Sequence, residues 1–297
     1  MSKQLKADLA LLGVTIIWGS SFILSKNSLD HLATYNFLAI RFIISALLSS
    51  IIFYKNIISI KKDTLKYGFL IGIILFTGYA FQTVGLNYTT ASKSGFITGF
   101  AVVIVPVLSA LLLKLKPERA SVIGVVLALI GLGFLTLDTT LSLNIGDFYT
   151  FIGALMFALH IITVGKYTVK VDSIALAIIQ IATVGILSLL FTFTIESPII
   201  PTGAEVWTAI LILAVLATSV AFIVQNAMQK FTSPTHTALI YSGEPVFAAM
   251  FAYILAGEVL TKSGIFGGVL VLMGMIIAEL DWKAIFLKQK QKRLQNS

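Results

Sequence analysis

The chain has 297 residues, of which 58% are hydrophobic and only 11% carry a formal charge. A typical soluble domain has about 25% charged residues, so this chain has too few of them to cover a surface exposed to water. The net charge is +8, but the basic residues lie mostly between apolar runs, which favours a role in membrane orientation over a nucleic-acid partner. The sequence contains no cysteine, which excludes disulfides, thiolate nucleophiles and cysteine-bound metals.

Apolar runs recur along the whole chain, each with roughly 20 residues, enough to cross a hydrocarbon core of roughly 30 Å as a helix. They lack the period-2 alternation of a membrane β-barrel, so helices are favoured. The first run lacks a signal-peptide cleavage site, and we interpret it as a retained helix. The pattern predicts an all-α integral membrane fold of ten transmembrane helices. These are predicted at residues 7–25, 34–54, 65–86, 92–113, 122–137, 146–165, 173–195, 206–229, 235–256 and 264–280.

The basic residues predict the orientation of these helices. If the N-terminus is cytoplasmic and successive helices alternate in direction, 17 of the 21 basic residues fall in cytoplasmic segments, three fall on the opposite side, and Arg41 lies within a helix. Such a bias is expected from the positive-inside rule. We therefore predict a multi-pass protein of the plasma membrane with both termini in the cytoplasm and a basic cytoplasmic tail.

The two halves of the chain resemble each other. LLGVTIIWGSSFILSK (11–26) aligns with FIGALMFALHIITVGK (151–166) at a shift of 140, and the segment around Pro106 aligns with that around Pro245 at a shift of 139. Five helices per copy is an odd number, so the second copy must be inverted. Inverted repeats are typical of transporters with a site near the bilayer midplane; the alternative is that apolar helices merely look alike. The predicted units are a first repeat at 1–140, a second at 141–282 and the tail at 283–297.

Several segments carry a family resemblance. They are WGSSFILSK, NFLAIRF, TTASKSGFITGF, TSPTHTALIYSGEPVFAA, the pair Gly257-Glu258 and GIFGGVLVLMGMII. In their order, spacing and duplication, about residues 8–280 resemble the EamA branch of the drug/metabolite transporter superfamily. The resemblance implies ten helices, a central substrate cavity and, commonly, export of amino acids or other metabolites. Residues 116–119 read LysProGluArg where many members have a Gly-Glu pair, so Glu118 is not paired with Glu258.

Arg41 lies well inside the second predicted helix, where a charge costs roughly 2.5–3.5 kcal/mol on insertion scales. Such a residue normally faces a cavity or a partner, and the permanent charge of arginine suits a carboxylate or phosphate. The alternatives are that Arg41 reaches outward to the membrane surface or pairs with Glu244 to hold the bundle together. The repeat shift places Gln180 at the equivalent position of the second half, so the charge is asymmetric.

Glu244 lies in the middle of the ninth predicted helix, just before Pro245. Proline lacks a backbone donor and frees a carbonyl one turn earlier, and a carboxyl group removed from water holds its proton more tightly. Glu244 is therefore a candidate proton carrier, with a protonated carboxyl that packs helices as the alternative. Pro106 is the matched proline of the first half. We predict helix kinks or gates at both prolines, with simple packing kinks as the alternative.

Other polar and aromatic residues within the predicted helices suggest a lined cavity, although hydrogen bonding between helices is an alternative for each. No carboxylate or second histidine lies at metal-ligand spacing from His160. A hydrogen-bonded helix histidine is the simplest interpretation of it, and a proton-linked role is the alternative. The candidate cavity residues are Arg41, Glu244, Trp18, Ser21, Tyr79, Gln82, Gln180, Gln225, Asn226, Tyr241 and His160.

The sequence has no Walker-type phosphate loop, GxSxG or HExxH motif. We therefore predict no catalytic residues, no metal and no cofactor. Our interpretation is a secondary transporter that exports small polar metabolites such as amino acids by alternating access, with protons as a candidate coupling ion. A channel or a non-transporting scaffold is the alternative, and a membrane-embedded lipid enzyme is a weaker one. The expected partners are the lipid bilayer and a small-molecule substrate; a homodimer is left open.

Overall fold

The secondary structure is helical, as the apolar runs predict. The computed structural model describes residues 3–112, 119–136 and 144–279, and no strand occurs within these ranges. A short helix at Tyr54–Ile58 follows the second long helix. The long helices are α1 (Lys3–Leu29), α2 (Thr34–Ile52), α3 (Lys62–Leu86), α4 (Ala91–Leu112), α5 (Arg119–Thr136), α6 (Ile145–Tyr167), α7 (Ser173–Ile195), α8 (Ala204–Gln229), α9 (Pro234–Ala256) and α10 (Lys262–Glu279).

The described helices form a multi-pass membrane protein. Eight of them, all except α5 and α10, are long and apolar enough to cross a bilayer. The apolar stretches described in α5 and α10 are shorter, at Val122–Leu135 and Lys262–Ile277. Large apolar side chains such as Leu47, Ile186 and Phe193 point outward, as a lipid environment allows. The predicted basic tail and Glu118 lie outside the described residues.

Helices of the first half pack mainly against helices of the second half. If α1 to α5 are matched in order with α6 to α10, the contacts occur in matched pairs. Helix α1 packs on α8 as α6 packs on α3, and α1 packs on α9 as α6 packs on α4. The remaining large contacts join α2 to α7, α3 to α7, α4 to α9 and α5 to α10. The two halves are therefore interleaved in one bundle and do not form separate five-helix bodies.

Small residues allow the closest approaches between these helices. A Cβ atom added to Gly131 of α5 would lie 2.6 Å from the carbonyl oxygen of Gly267 in α10, which is too close for any side chain. A Cβ on Gly99 of α4 would lie 2.5 Å from the ring of Pro245, and one on Gly95 would overlap Ala248. Backbones in membrane helix bundles commonly approach through such residues. The backbone of α4 at Gly95 and Gly99 therefore lies directly against α9, with no room for a side chain between the two helices.

Two helices of the second half depart from regular α geometry. Helix α8 contains a π-helical segment, Leu213–Val220, which the sequence did not predict. Helix α9 is interrupted at 242–243, and its second part begins at Glu244. Pro245 explains this break, because its ring clashes with the carbonyl four residues earlier and it donates no backbone hydrogen bond. Pro106 lies within α4, whose helical structure continues to its last described residue.

Carboxylates of the second half cap two helices of the first half. Glu196, after α7, accepts hydrogen bonds from the backbone N–H groups of Tyr35 at 3.0 Å and Asn36 at 2.9 Å, in the first turn of α2. Glu258, after α9, accepts from the first two N–H groups of α4 at 3.1 and 3.0 Å and from the Ser92 hydroxyl at 2.8 Å. Such contacts satisfy N–H groups that have no partner within the helix and place negative charge at its positive end.

We expect Glu258→Ala to lower the free energy of unfolding by about 1 kcal/mol, because helix caps contribute about that much. Glu258→Gln keeps one acceptor oxygen and should lose less. Thermal unfolding of the detergent-purified protein measures both effects. Glu205→Ala is a matched control, since Glu205 is an exposed carboxylate in the first turn of α8. Equal midpoints for Glu258→Ala and Glu205→Ala would contradict the capping role.

Candidate functional site

A cavity lies between the two halves, at the level of the break in α9. Its walls come from α1 to α4 of the first half and from α6, α8 and α9 of the second, whereas α5 and α10 contribute none of the lining. It is narrow, with a volume of about 60 Å³. Nine of the eleven candidate cavity residues line it: Arg41, Glu244, Trp18, Ser21, Tyr79, Gln82, Gln225, Tyr241 and His160.

Arg41 is almost fully buried, with 2% of its surface exposed. Its Nε donates a hydrogen bond to the hydroxyl of Thr218 at 2.8 Å. The guanidinium carbon lies 5.2 Å from the ring centroid of Tyr79 and 5.3 Å from that of Phe42, within range of cation–π attraction. Among the described residues, Nη2 has no hydrogen-bond partner. No ion pair joins Arg41 to Glu244 in the described part of the chain, so the pairing considered from the sequence does not occur.

The π-helical segment of α8 holds two of the cavity side chains. Thr218, which accepts from the arginine, donates its own hydroxyl to the carbonyl of Leu213 at 2.9 Å. The indole N–H of Trp18 donates to the carbonyl of Ala217 at 3.0 Å. Single π turns inside α-helices are frequent at functional sites. The only signal for this segment in the sequence is the hydroxyl pair Thr218 and Ser219 within an apolar run.

Several residues of the second half that line the cavity also carry polar atoms, and some of these atoms have no hydrogen-bond partner among the described residues. Glu244 begins the second part of α9, is partly exposed and lines the cavity. The Tyr241 hydroxyl and the Gln225 Oε1 atom are buried and have no hydrogen-bond partner among the described residues. A buried polar atom without a partner typically costs about 1–3 kcal/mol. These atoms and Nη2 of Arg41 place unpartnered polar groups in a mainly apolar cavity, where they can bind a polar molecule.

His160 lines the cavity, and two amide side chains lie behind it. Its Nε2 is 2.6 Å from Oε1 of Gln180, and Nε2 of Gln180 donates to Oδ1 of Asn226 at 3.0 Å. Nδ2 of Asn226 donates to the carbonyl of Phe222 at 2.8 Å. Gln180 and Asn226 are not part of the cavity wall, which differs from the sequence prediction for both. Gln180, which the predicted repeat aligns with Arg41, instead supports the histidine.

The remaining contacts of the cavity are aromatic or between neutral groups. The ring of Trp18 lies 5.4 Å from that of Phe222 and 5.2 Å from that of Tyr241. The amide of Gln82 donates to the hydroxyl of Thr98 at 2.9 Å, while the hydroxyl of Ser21 donates to a carbonyl of its own helix at 2.7 Å. Aromatic and hydroxyl residues are common throughout membrane helices, so Thr98 and Phe222 could not be singled out from the sequence.

An apolar helix bundle that encloses a cavity with a few buried polar groups fits the architecture of a multi-pass membrane transporter. The model of the EamA-like transporter family matches residues 5–137 and, again, residues 144–279. The chain therefore belongs to the EamA-like transporter family, and the resemblance inferred from its motifs is confirmed. Members of this family are transporters and not enzymes.

Individual relatives agree with this assignment. An uncharacterized transporter of Archaeoglobus fulgidus is 39% identical over 94% of this chain and 87% of its own. The uncharacterized transporters YyaM and YvbV of Bacillus subtilis are 27% and 29% identical, over 93% and 88% of this chain and 94% and 84% of theirs. One solved crystal structure, at 18% identity, superposes with a TM-score of 0.72 over 95% of this chain and 99% of that chain. At this identity the likeness shows a shared fold.

Proposed function

We propose that this protein is a secondary transporter that exports small polar metabolites such as amino acids across the plasma membrane by alternating access. One observation carries the proposal: Arg41, Gln225 and Tyr241 line the cavity and each has a buried polar atom without a partner. A polar solute would supply the missing hydrogen bonds. The guanidinium would bind the carboxylate of an amino acid, because its planar donors match that group.

The transporter would consist of ten transmembrane helices in two inverted repeats, 1–140 and 141–282. Helix α1 packs on α8, and α3 packs on α6. A twofold axis in the membrane plane would exchange these two contacts, which supports the arrangement. The family model also matches once within each half. Because the halves are interleaved, movement of the helices that surround the cavity would open it to each side in turn. Both termini would then lie in the cytoplasm, as the positive-inside rule requires.

The coupling ion in this proposal is a proton, and Glu244 is its carrier. Glu244 lines the cavity and makes no ion pair in the described part of the chain, so its charge is not already used to hold the structure. A carboxyl group on the same cavity as the solute can take up a proton from one side and release it on the other. Export of the solute would be driven by the inward flow of protons.

Counterflow in proteoliposomes tests the transport function. Vesicles that contain the purified protein are loaded with one unlabelled compound, and the entry of its radiolabelled form is followed for amino acids, nucleosides, sugars and organic acids in turn. We expect transient accumulation of one or more amino acids. If single-channel recordings show ionic currents and no compound gives counterflow, the protein is a channel and the transporter proposal is wrong. Neither currents nor counterflow would favour a scaffold.

We expect Trp18→Phe to raise the half-saturating concentration of the amino acid identified by counterflow about fivefold, because loss of one hydrogen bond that positions a cavity wall corresponds to about 1 kcal/mol. Counterflow at a series of concentrations measures the change. Trp207→Phe is a matched control, since the indole of Trp207 also donates to a backbone carbonyl, that of Pro201 at 2.7 Å, but is absent from the cavity lining. Equal effects of the two substitutions would contradict a role for Trp18 in the site.

A further inference from the structure

The amide network behind His160 has fixed donor and acceptor directions. A backbone carbonyl can only accept a hydrogen bond. The contact with the Phe222 carbonyl therefore identifies the amide nitrogen of Asn226 and leaves its oxygen to accept from Gln180. Nε2 of Gln180 also lies 3.4 Å from the carbonyl of Leu176, which favours the same direction. Oε1 of Gln180 is therefore an acceptor, and Nε2 of His160 must carry a hydrogen.

This arrangement leaves the second ring nitrogen of His160 as an acceptor. A neutral imidazole carries a hydrogen on only one of its two nitrogens. With that hydrogen on Nε2, Nδ1 has a free lone pair, and no hydrogen bond joins it to another described residue. His160 lines the cavity whereas Gln180 does not, so Nε2 is directed away from the cavity. The edge-on ring of Phe222, 5.9 Å away, packs against the imidazole.

We propose that Gln180 and Asn226 are positioning residues that hold neutral His160 as its Nε2–H tautomer, so that Nδ1 accepts a hydrogen bond from an ammonium or hydroxyl group of the solute in the cavity. The acceptor role rests on the proposed function, because it takes this cavity to be the solute site. With the guanidinium of Arg41 on another wall, the site selects solutes that carry both an anionic group and an N–H or O–H donor. A solute whose amine is quaternary and which has no hydroxyl lacks that donor and is disfavoured.

Nitrogen NMR tests the tautomer without any solute. The sequence has three histidines, His31, His160 and His236, so a histidine-labelled sample gives few signals, and His160→Asn assigns the one of interest. In the wild-type protein at alkaline pH, we expect His160 to be protonated at Nε2 and unprotonated at Nδ1. A wild-type spectrum with the hydrogen on Nδ1 would overturn the proposal without recourse to any variant.

Two substitutions at one position separate the tautomer lock from general packing. Gln180→Leu keeps a similar volume but neither donates nor accepts, and we expect a mixture of both tautomers of His160. Gln180→Glu loses the donor to Asn226 but keeps an oxygen that accepts from Nε2, so the single tautomer should be restored at a pH where the ring is neutral. An unchanged single tautomer in Gln180→Leu would show that Gln180 does not position the ring.

A pair of probes tests the acceptor role of Nδ1. L-alanine and N,N,N-trimethyl-L-alanine share the carboxylate, but only the first has N–H donors. We expect wild-type protein in lipid nanodiscs to bind L-alanine at least about tenfold more tightly, because a site built to hydrogen-bond a group rejects an analogue that lacks it. In Gln180→Leu, an equal mixture of tautomers halves the share of His160 that presents a free Nδ1, so that preference should fall by about twofold.

The outcomes separate the two proposals. An unchanged preference in Gln180→Leu overturns the acceptor role but does not affect the tautomer. If L-alanine does not bind but counterflow identifies another amino acid, that amino acid and its N-trimethyl derivative become the test pair. If no amino acid gives counterflow, amino acids fail as the substrate class and the acceptor role fails with them. The nitrogen spectra decide the tautomer lock in every case, since they do not depend on a bound solute.

Discussion

Arg41→Ala should reduce amino-acid counterflow about 10- to 100-fold, because hydrogen bonds to a charged group contribute about 1.5–3 kcal/mol each when they are lost. Arg41 is the residue on which the proposed binding of a carboxylate depends. It is buried, held by Thr218 through Nε, and has Nη2 without a partner among the described residues. Arg41→Lys keeps the charge but loses the planar pair of donors. It should therefore retain weak transport with a raised half-saturating concentration.

Arg41→Met distinguishes a binding role from a structural one. Arg41 has no ion-pair partner in the described part of the chain, so an apolar side chain of similar length would remove a desolvated charge without leaving another charge unpaired. If Arg41 serves the solute, Arg41→Met should unfold at a temperature no lower than the wild type and still fail to transport. Arg119→Ala, at an exposed arginine at the start of α5, is the control for loss of a positive charge. If Arg41→Met transports at the wild-type rate, Arg41 does not bind the solute. If its unfolding temperature falls strongly, the role of Arg41 is to stabilise the helix bundle.

Glu244→Gln should eliminate the response of transport to a proton gradient. Glutamine has nearly the same shape as glutamate but cannot exchange a proton, so exchange of solute at equal pH on both sides should persist. The measurement compares the uptake of labelled amino acid by proteoliposomes with and without an imposed pH difference. We expect the wild type to concentrate the solute only when a gradient is present, and Glu244→Gln not to concentrate it at all.

Asp63→Asn provides the control for Glu244→Gln, because Asp63 is an exposed carboxylate in the first turn of α3. It should retain the full response to the gradient. Gradient-driven accumulation by Glu244→Gln at the wild-type level would exclude Glu244 as the carrier. His160→Asn would then be the next substitution to test, since His160 is the other titratable side chain named for proton transfer on the cavity wall.

The positions of most helices could be predicted from the sequence, and nine of the eleven residues predicted for the cavity line it. Apolar runs of this length have few alternatives to a membrane helix. A charge such as Arg41 or Glu244 inside such a run is costly and therefore points to a cavity. The same reasoning applied to amides was less informative. Gln180 and Asn226 lie one layer behind the wall because an uncharged amide can satisfy its hydrogen bonds between helices.

Features that depend on three-dimensional packing could not be predicted. The π-helical segment Leu213–Val220 has no distinctive composition beyond two hydroxyl residues. The role of Thr218 depends on which face of α8 meets Arg41. Pro106 and Pro245 look equivalent in the sequence, yet only α9 is interrupted. The difference shows that proline position alone does not determine whether a membrane helix breaks, because neighbouring groups can satisfy the freed carbonyl.

The carboxylate caps have a consequence for biosynthesis. The N-terminal turns of α2 and α4 depend on Glu196 and Glu258, which the ribosome adds some 160 residues later in the chain. Until they emerge, a nascent chain that has inserted its first helices leaves these turns uncapped and accessible to quality-control proteases. Cells that make only the first half should therefore degrade it quickly, whereas simultaneous synthesis of the second half as a separate polypeptide should rescue it.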